Sequence, residues 1–87
     1  MAIISETING QEINVTFKSS NLKSASYNTE SKILTITFNS GGIYEYYDVS
    51  WENFTKFRMS PSHGKYFSSN INGKYKFKKV SWWINWG

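Results

Sequence analysis

The stretch Leu34-Thr35-Ile36-Thr37-Phe38-Asn39-Ser40-Gly41-Gly42-Ile43-Tyr44-Glu45-Tyr46-Tyr47 decides the fold. Leu34, Ile36 and Phe38 alternate with Thr35 and Thr37, which gives an extended chain one apolar and one wet face. Asn39-Ser40-Gly41-Gly42 is a cluster of turn formers. Beyond it Tyr44 and Tyr46 point one way, and Ile43, Glu45 and Tyr47 the other. Two such arms with so short a link are antiparallel neighbours, because a parallel pair needs a crossover of a dozen residues or more.

The same grammar extends toward the N-terminus. Ile13, Val15 and Phe17 alternate with Asn14, Thr16 and Lys18, and Asn9-Gly10 predicts a type I′ hairpin turn back to residues 2–8. A further strand is expected near residues 22–28, between Ser19-Ser20-Asn21 and Asn28-Thr29-Glu30-Ser31. Toward the C-terminus the period changes. Ser50 is suited to cap a helix that carries Trp51, Phe54 and Phe57 on one side. Ser60 and Pro61 fit the cap and first position of a second helix, with Phe67 and Ile71 four apart and Gly73 as its stop. Gly64, one turn before Phe67, suggests a close helix–sheet approach. The expected architecture is α+β: an antiparallel meander of about four to five strands, then two short helices packed on one face, then a Trp-rich C-terminal tail. Residues 1–87 form one domain, with a core at about 15–80, an N-terminal hairpin arm at 1–14 and an aromatic tail at 81–87.

Composition narrows the function. Six Phe, six Tyr and four Trp make the chain 18% aromatic, more rings than a small core holds, so some are expected on a groove or a partner surface. There is no cysteine, which excludes a disulfide framework and the common structural zinc sites and favours a reducing, cytoplasmic setting. The N-terminus lacks the basic and apolar regions of a signal peptide, and no apolar run is long enough to span a bilayer. The net charge of +4 is uneven. In residues 1–48 three lysines face five carboxylates, leaving −2; in residues 49–87 seven cations face Glu52 alone, leaving +6. That asymmetry suggests a polyanion-facing C-terminal half, with a solvated face as the plain alternative.

Catalytic signals are weak. His63 is the single histidine, has no metal-ligating companions, and is expected on a helix surface. Glu45 and Asp48 could pair as carboxylates but have no nucleophile beside them. Gly41-Gly42 reads as a hairpin turn, not a phosphate loop. The chain is therefore expected to be non-catalytic, without metal or cofactor.

Two motifs resemble the KTSC domain, a small module at the C-terminus of some lysyl-tRNA synthetases and in free-standing bacterial or phage proteins. The central Y-x-Y is Tyr44-Glu45-Tyr46. The segment S-x-G-x-[YF]-F-x-x-x-I-x-x-x-Y is Ser62-His63-Gly64-Lys65-Tyr66-Phe67-Ser68-Ser69-Asn70-Ile71-Asn72-Gly73-Lys74-Tyr75. The resemblance covers about residues 15–80. Ser68 and Asn72 stand where the family often has Asn and a basic residue. The association with a tRNA-handling enzyme implies RNA binding.

Two functional readings follow. In the first, Lys65, Lys74, Lys76, Lys78 and Lys79 contact the phosphates of RNA or a single strand while Tyr66 stacks. If residues 74–80 are extended, Lys74, Lys76 and Lys78 recur about every 6.6 Å on one side, suited to a track for a single strand; an edge strand protected by lysines is the alternative. In the second, Trp82, Trp83 and Trp86 form a docking surface, and the chain is a small bacterial or phage-encoded protein that modulates a host factor or pairs with itself. A tail that folds back to seal the sheet, with none of the three rings meeting a partner, is the alternative there.

Overall fold

A computed structural model of the chain describes residues 3–82, with the side chains of residues 5–80. The elements are β1 (Ile3–Asn9), β2 (Glu12–Phe17), β3 (Leu22–Asn28), β4 (Ile33–Phe38), β5 (Gly42–Tyr46), α1 (Trp51–Met59), α2 (His63–Asn70) and β6 (Phe77–Trp82). The strands form one six-stranded antiparallel sheet in chain order, β1-β2-β3-β4-β5-β6. This exceeds the expected four to five. The additional strand is β6, which returns after both helices to pair with β5: Tyr46 lies opposite Phe77, Glu45 opposite Lys78 and Tyr44 opposite Lys79. Trp82 pairs with Gly42 as the last residue of that strand, so the expected aromatic tail begins as sheet. Trp83 and Trp86 lie outside the described residues.

Period two sorts the side chains. Ile13, Val15, Phe17, Leu22, Ala25, Tyr27, Leu34, Ile36 and Tyr46 are buried on one face, where Val49, Phe54, Phe57, Phe67 and Ile71 complete the core. The opposite face carries Asn14, Thr16, Ser24, Ser26, Thr35, Thr37 and Glu45, in register across the strands. Ring contacts hold the helices down. Phe54 stacks on Tyr27 with centroids 4.4 Å apart, Phe57 meets Phe17 edge-on at 5.4 Å, and Phe67 meets Phe38 at 5.4 Å and Tyr46 at 5.6 Å. Such pairs add to the large area each ring removes from water. The Tyr27 hydroxyl donates to the Val49 carbonyl at 2.6 Å, so the one polar group in this stack is satisfied.

Ser50 caps α1 as its sequence position suggests, its Oγ accepting from the Asn53 N–H at 3.1 Å. Arg58, near the end of α1, lies over the Trp51 and Phe54 rings and pairs with Glu6 of β1. This clamp ties an edge strand to the helical layer. Two local expectations shift. The first hairpin turn is Gly10-Gln11, because Asn9 lies opposite Glu12. Gly10 has φ +66 and neither Asn9 nor Gln11 a positive φ, the pattern of a type II′ rather than a type I′ turn. The second helix begins at His63, not Pro61; Ser60 ends α1, and its hydroxyl accepts from the Ser62 N–H and donates to the Ser62 carbonyl.

Candidate nucleic-acid interface

Aromatic side chains that face the helical side of the sheet are covered by α1 and α2 as far as β4. On β5 Phe67 of α2 still covers Tyr46, whereas Tyr44 is only partly buried and Phe77 of β6 stands at the surface. Phe77, 56% exposed, is the side-by-side neighbour of Tyr46 and Tyr44, with centroids at 5.7 and 6.0 Å. Tyr44 in turn meets Phe38 at 5.6 Å. These rings, with Phe67, Ser40, Gly42 and Asn72, line an open groove of about 460 Å³. A Cβ on Gly42 would lie 3.2 Å from Tyr44 Cε1, so a larger residue there would require the ring to shift by a few tenths of an ångström.

The basic stretch runs through the strand that bears Phe77, and none of its lysines lines the groove itself. Lys74, Lys76, Lys78 and Lys79 are all exposed. β6 starts at Phe77, so the regular alternation begins there and not at residue 74. Lys74 sits in the turn that leaves α2, its N–H donating to the Ile71 carbonyl. Lys76 precedes the strand, and its carbonyl accepts from the Tyr47 N–H at 3.0 Å, prolonging the β5–β6 ladder. Lys78 shares the polar face with Glu45, whose carboxylate accepts from the Tyr47 hydroxyl at 2.9 Å. Lys79 lies opposite Tyr44, on the groove side. Among the described residues the ion pairs are Lys56–Glu52 and Arg58–Glu6, so carboxylates do not neutralise the 74–78 row.

The remaining site residues fall elsewhere. Lys65 is exposed on α2, apart from this edge, in a second groove with Lys18. Tyr66 is half-buried: its ring lies 6.0 Å from Phe57, and its hydroxyl bonds Asn53 Oδ1. Asn53 Nδ2 in turn donates to the Tyr75 hydroxyl. Tyr66 therefore joins α1 to α2, and its ring does not stand out to stack a base. Burial raises the Tyr66 hydroxyl above the ordinary tyrosine pKa, with Tyr75 and Glu52 adding to the shift. Burial likewise raises Tyr46, with Tyr44 contributing. The Tyr47 hydroxyl is raised first by its bond to the Glu45 carboxylate.

His63 corrects the sequence reading most. It is 2% exposed, wedged against Phe17 at 4.5 Å and Phe57 at 5.8 Å, with Nε2 3.0 Å from the Arg58 carbonyl. It is a core residue rather than a helix-surface one. Gly64 also differs: a Cβ built on it meets nothing within 4 Å, so no close approach demands glycine there. Phe38 and Asn72 in the aromatic groove, and Lys18 in the second groove, escaped the sequence reading. The alternation of Phe38 reads as core; Lys18 follows β2 and comes beside α2 only in three dimensions. Among the described residues no group of acidic or histidine side chains could hold a metal ion, and no helix is long and apolar enough to cross a membrane.

One six-stranded antiparallel sheet, covered on one side by two short helices, defines a small α+β domain. Residues 18–75 match the KTSC domain, and the chain belongs to that family. It is 38% identical over 60 residues to a lysine–tRNA ligase of Nostoc punctiforme, and 35% identical over 60 residues to that of Trichormus variabilis. Each alignment takes in 69% of this chain but only 11% of the ligase. The crystal structure of a KTSC domain protein from Yersinia pestis superposes with a TM-score of 0.76 at 27% identity, covering 80% of this chain and 99% of that one. The family match excludes β1, β2 and β6, so Phe77 at the aromatic groove lies beyond the matched segment.

Proposed function

We propose that this domain is a non-catalytic accessory module that binds RNA or single-stranded nucleic acid along its β5–β6 edge, in a cytoplasmic setting. Bases stack in the groove of Phe77, Tyr44 and Phe38, and Lys74, Lys76, Lys78 and Lys79 meet the phosphates. The observation that carries this reading is the exposed Phe77 ring in a row of lysines. A strand that only needed protection from edge-to-edge pairing would carry lysines without an aromatic groove beside them. An exposed ring on a strand that carries lysines supplies the two elements of a sequence-tolerant single-strand site. The relatives agree in one respect: the ligases they belong to are named for tRNA.

Tyr66 drops out of the contact set because its ring is engaged between the helices. The test is a titration of fluorescently labelled single-stranded RNA at low and moderate salt. Four lysine contacts give a slope of log K against log salt of about −3, and replacing Lys74, Lys76 and Lys78 by Gln lowers it to about −1. Binding that is absent at low salt, or whose slope the triple variant leaves unchanged, removes the proposal.

A further inference from the structure

Among the described residues β1 and β6 are the two ends of the sheet, and each leaves one edge without a neighbouring strand. The two edges are built differently. β6 carries the exposed Lys78 and Lys79, and lysines on an edge discourage pairing with another chain. β1, Ile3-Ile4-Ser5-Glu6-Thr7-Ile8-Asn9, has neither lysine nor proline. Its one charge, Glu6, is already paired with Arg58 of α1. A strand of that composition at a sheet edge is a ready template for a second strand.

Hydrogen-bond parity decides which groups of β1 face outward. The Thr29 N–H donates to the Gln11 carbonyl at 2.9 Å. Along an antiparallel strand the bonding direction alternates from residue to residue, so Gln11, Ile13 and Val15 bond toward β3, and Glu12, Asn14 and Thr16 toward β1. The residues of β1 opposite the latter three are Asn9, Thr7 and Ser5. The N–H and C=O groups of Glu6 and Ile8 therefore point away from β2, where no described strand meets them. The side chains sort with the same period. Glu6 and Ile8 lie opposite Val15 and Ile13 on the helical side, while Ser5, Thr7 and Asn9 lie on the polar side. Ile8 is 68% exposed.

This edge is complementary to itself. Past the irregularity near Ile3 the regular run is Ser5 to Asn9, and Thr7 is its middle residue. An antiparallel copy of the run, turned about an axis at Thr7, sets Glu6 against Ile8 of the second copy and Ile8 against its Glu6. Both pairs bring outward-pointing groups together, so each exchanges its backbone bonds. Thr7 meets Thr7 at the closer, non-hydrogen-bonded spacing, a favourable cross-strand pair, and no like charges are opposed. The arrangement is also closed. It uses both β1 edges and leaves the lysine-bearing β6 edges outermost, so growth stops at two copies.

We infer that β1 is the docking edge for a second copy of this chain, the two strands pairing antiparallel about a two-fold axis at Thr7 and joining two six-stranded sheets into one. The inference does not rest on the nucleic-acid reading, because the pair leaves both β5–β6 edges open.

Sedimentation equilibrium of the intact chain over a range of concentrations tests it. A contact confined to one strand is small, so the expected result is a shift from one copy to two with a Kd on the order of 0.1 mM. Thr7→Lys sets two ammonium groups against each other at the axis. Thr7 is exposed, so the variant keeps its melting temperature while its Kd rises about fivefold or more. Thr7→Glu alone does the same, and mixing the two variants restores pairing, which a merely weakened strand would not do. Hydrogen exchange at the Glu6 and Ile8 amides slows as the concentration of the unmodified chain rises. A single copy at every concentration overturns the inference, as does pairing that Thr7→Lys leaves unchanged or that the mixture fails to restore. Growth beyond two copies would assign the edge to β6 of the next chain, and overturns it as well.

Discussion

Phe54 of α1 and Phe77 of β6 lie on the same side of one sheet and meet opposite fates. Phe54 is fully buried, stacked on Tyr27 under the guanidinium of Arg58. Phe77, on the last strand, is more than half exposed, although it also stacks on a tyrosine. The difference lies in what covers each ring. α1 and α2 are short and pack on β2 to β5, so a ring's contribution to stability depends on whether it lies between helix and sheet as much as on its chemistry. Rings under α1 hold the fold together, whereas rings past the helical layer remain available to a ligand.

That contrast has a measurable scale. Phe54→Ala removes a ring that no water touches, and chemical denaturation should show a loss of about 3–5 kcal/mol. Glu6→Gln breaks the clamp between β1 and Arg58, which is partly exposed, and should cost about 1 kcal/mol in the same measurement. Phe77→Ala should lower stability by less than Phe54→Ala does, yet weaken single-stranded RNA binding about tenfold, the scale of one lost base stack. A Phe77→Ala loss of stability equal to that of Phe54→Ala would erase the distinction between the two regions. Smallest is an effect of pH. The Tyr27 and Tyr46 hydroxyls are raised above 10.0, mainly by burial. The unfolded chain therefore releases these protons first, and stability present below pH 10 declines as the pH rises above it. Denaturation midpoints across that range, set against Tyr46→Phe, check the sign: the variant should decline less.

Much of the covered half was legible in the sequence, and the reasons are local. Leu34, Ile36 and Phe38 display their strand by alternation, and Ser50 displays a helix start because a cap bonds within its own turn. The Tyr44-Glu45-Tyr46 motif placed the chain in its family. What the sequence hid depends on distant partners. β6 pairs with β5 across two intervening helices, and a lysine-rich segment does not name its neighbour. His63 is buried by Phe17 from β2 and by the end of α1; nothing within its own turn marks it as core. Lys18 and Lys65, 47 positions apart by their numbers, share a groove only after the β2–β3 loop meets α2. Tyr66 looked like a free ring because its bond to Asn53 joins two helices. The candidate site was thus readable in its charges and not in its rings.

The central claim is that the open β5–β6 edge receives bases. Its most direct measurement is mapping of aromatic NMR signals on addition of a short single-stranded RNA. The signals of Phe77 and Tyr44 should move with saturation while those of Phe54 and Phe57 stay in place. Unmoved Phe77 and Tyr44 signals in the presence of bound RNA would contradict the account.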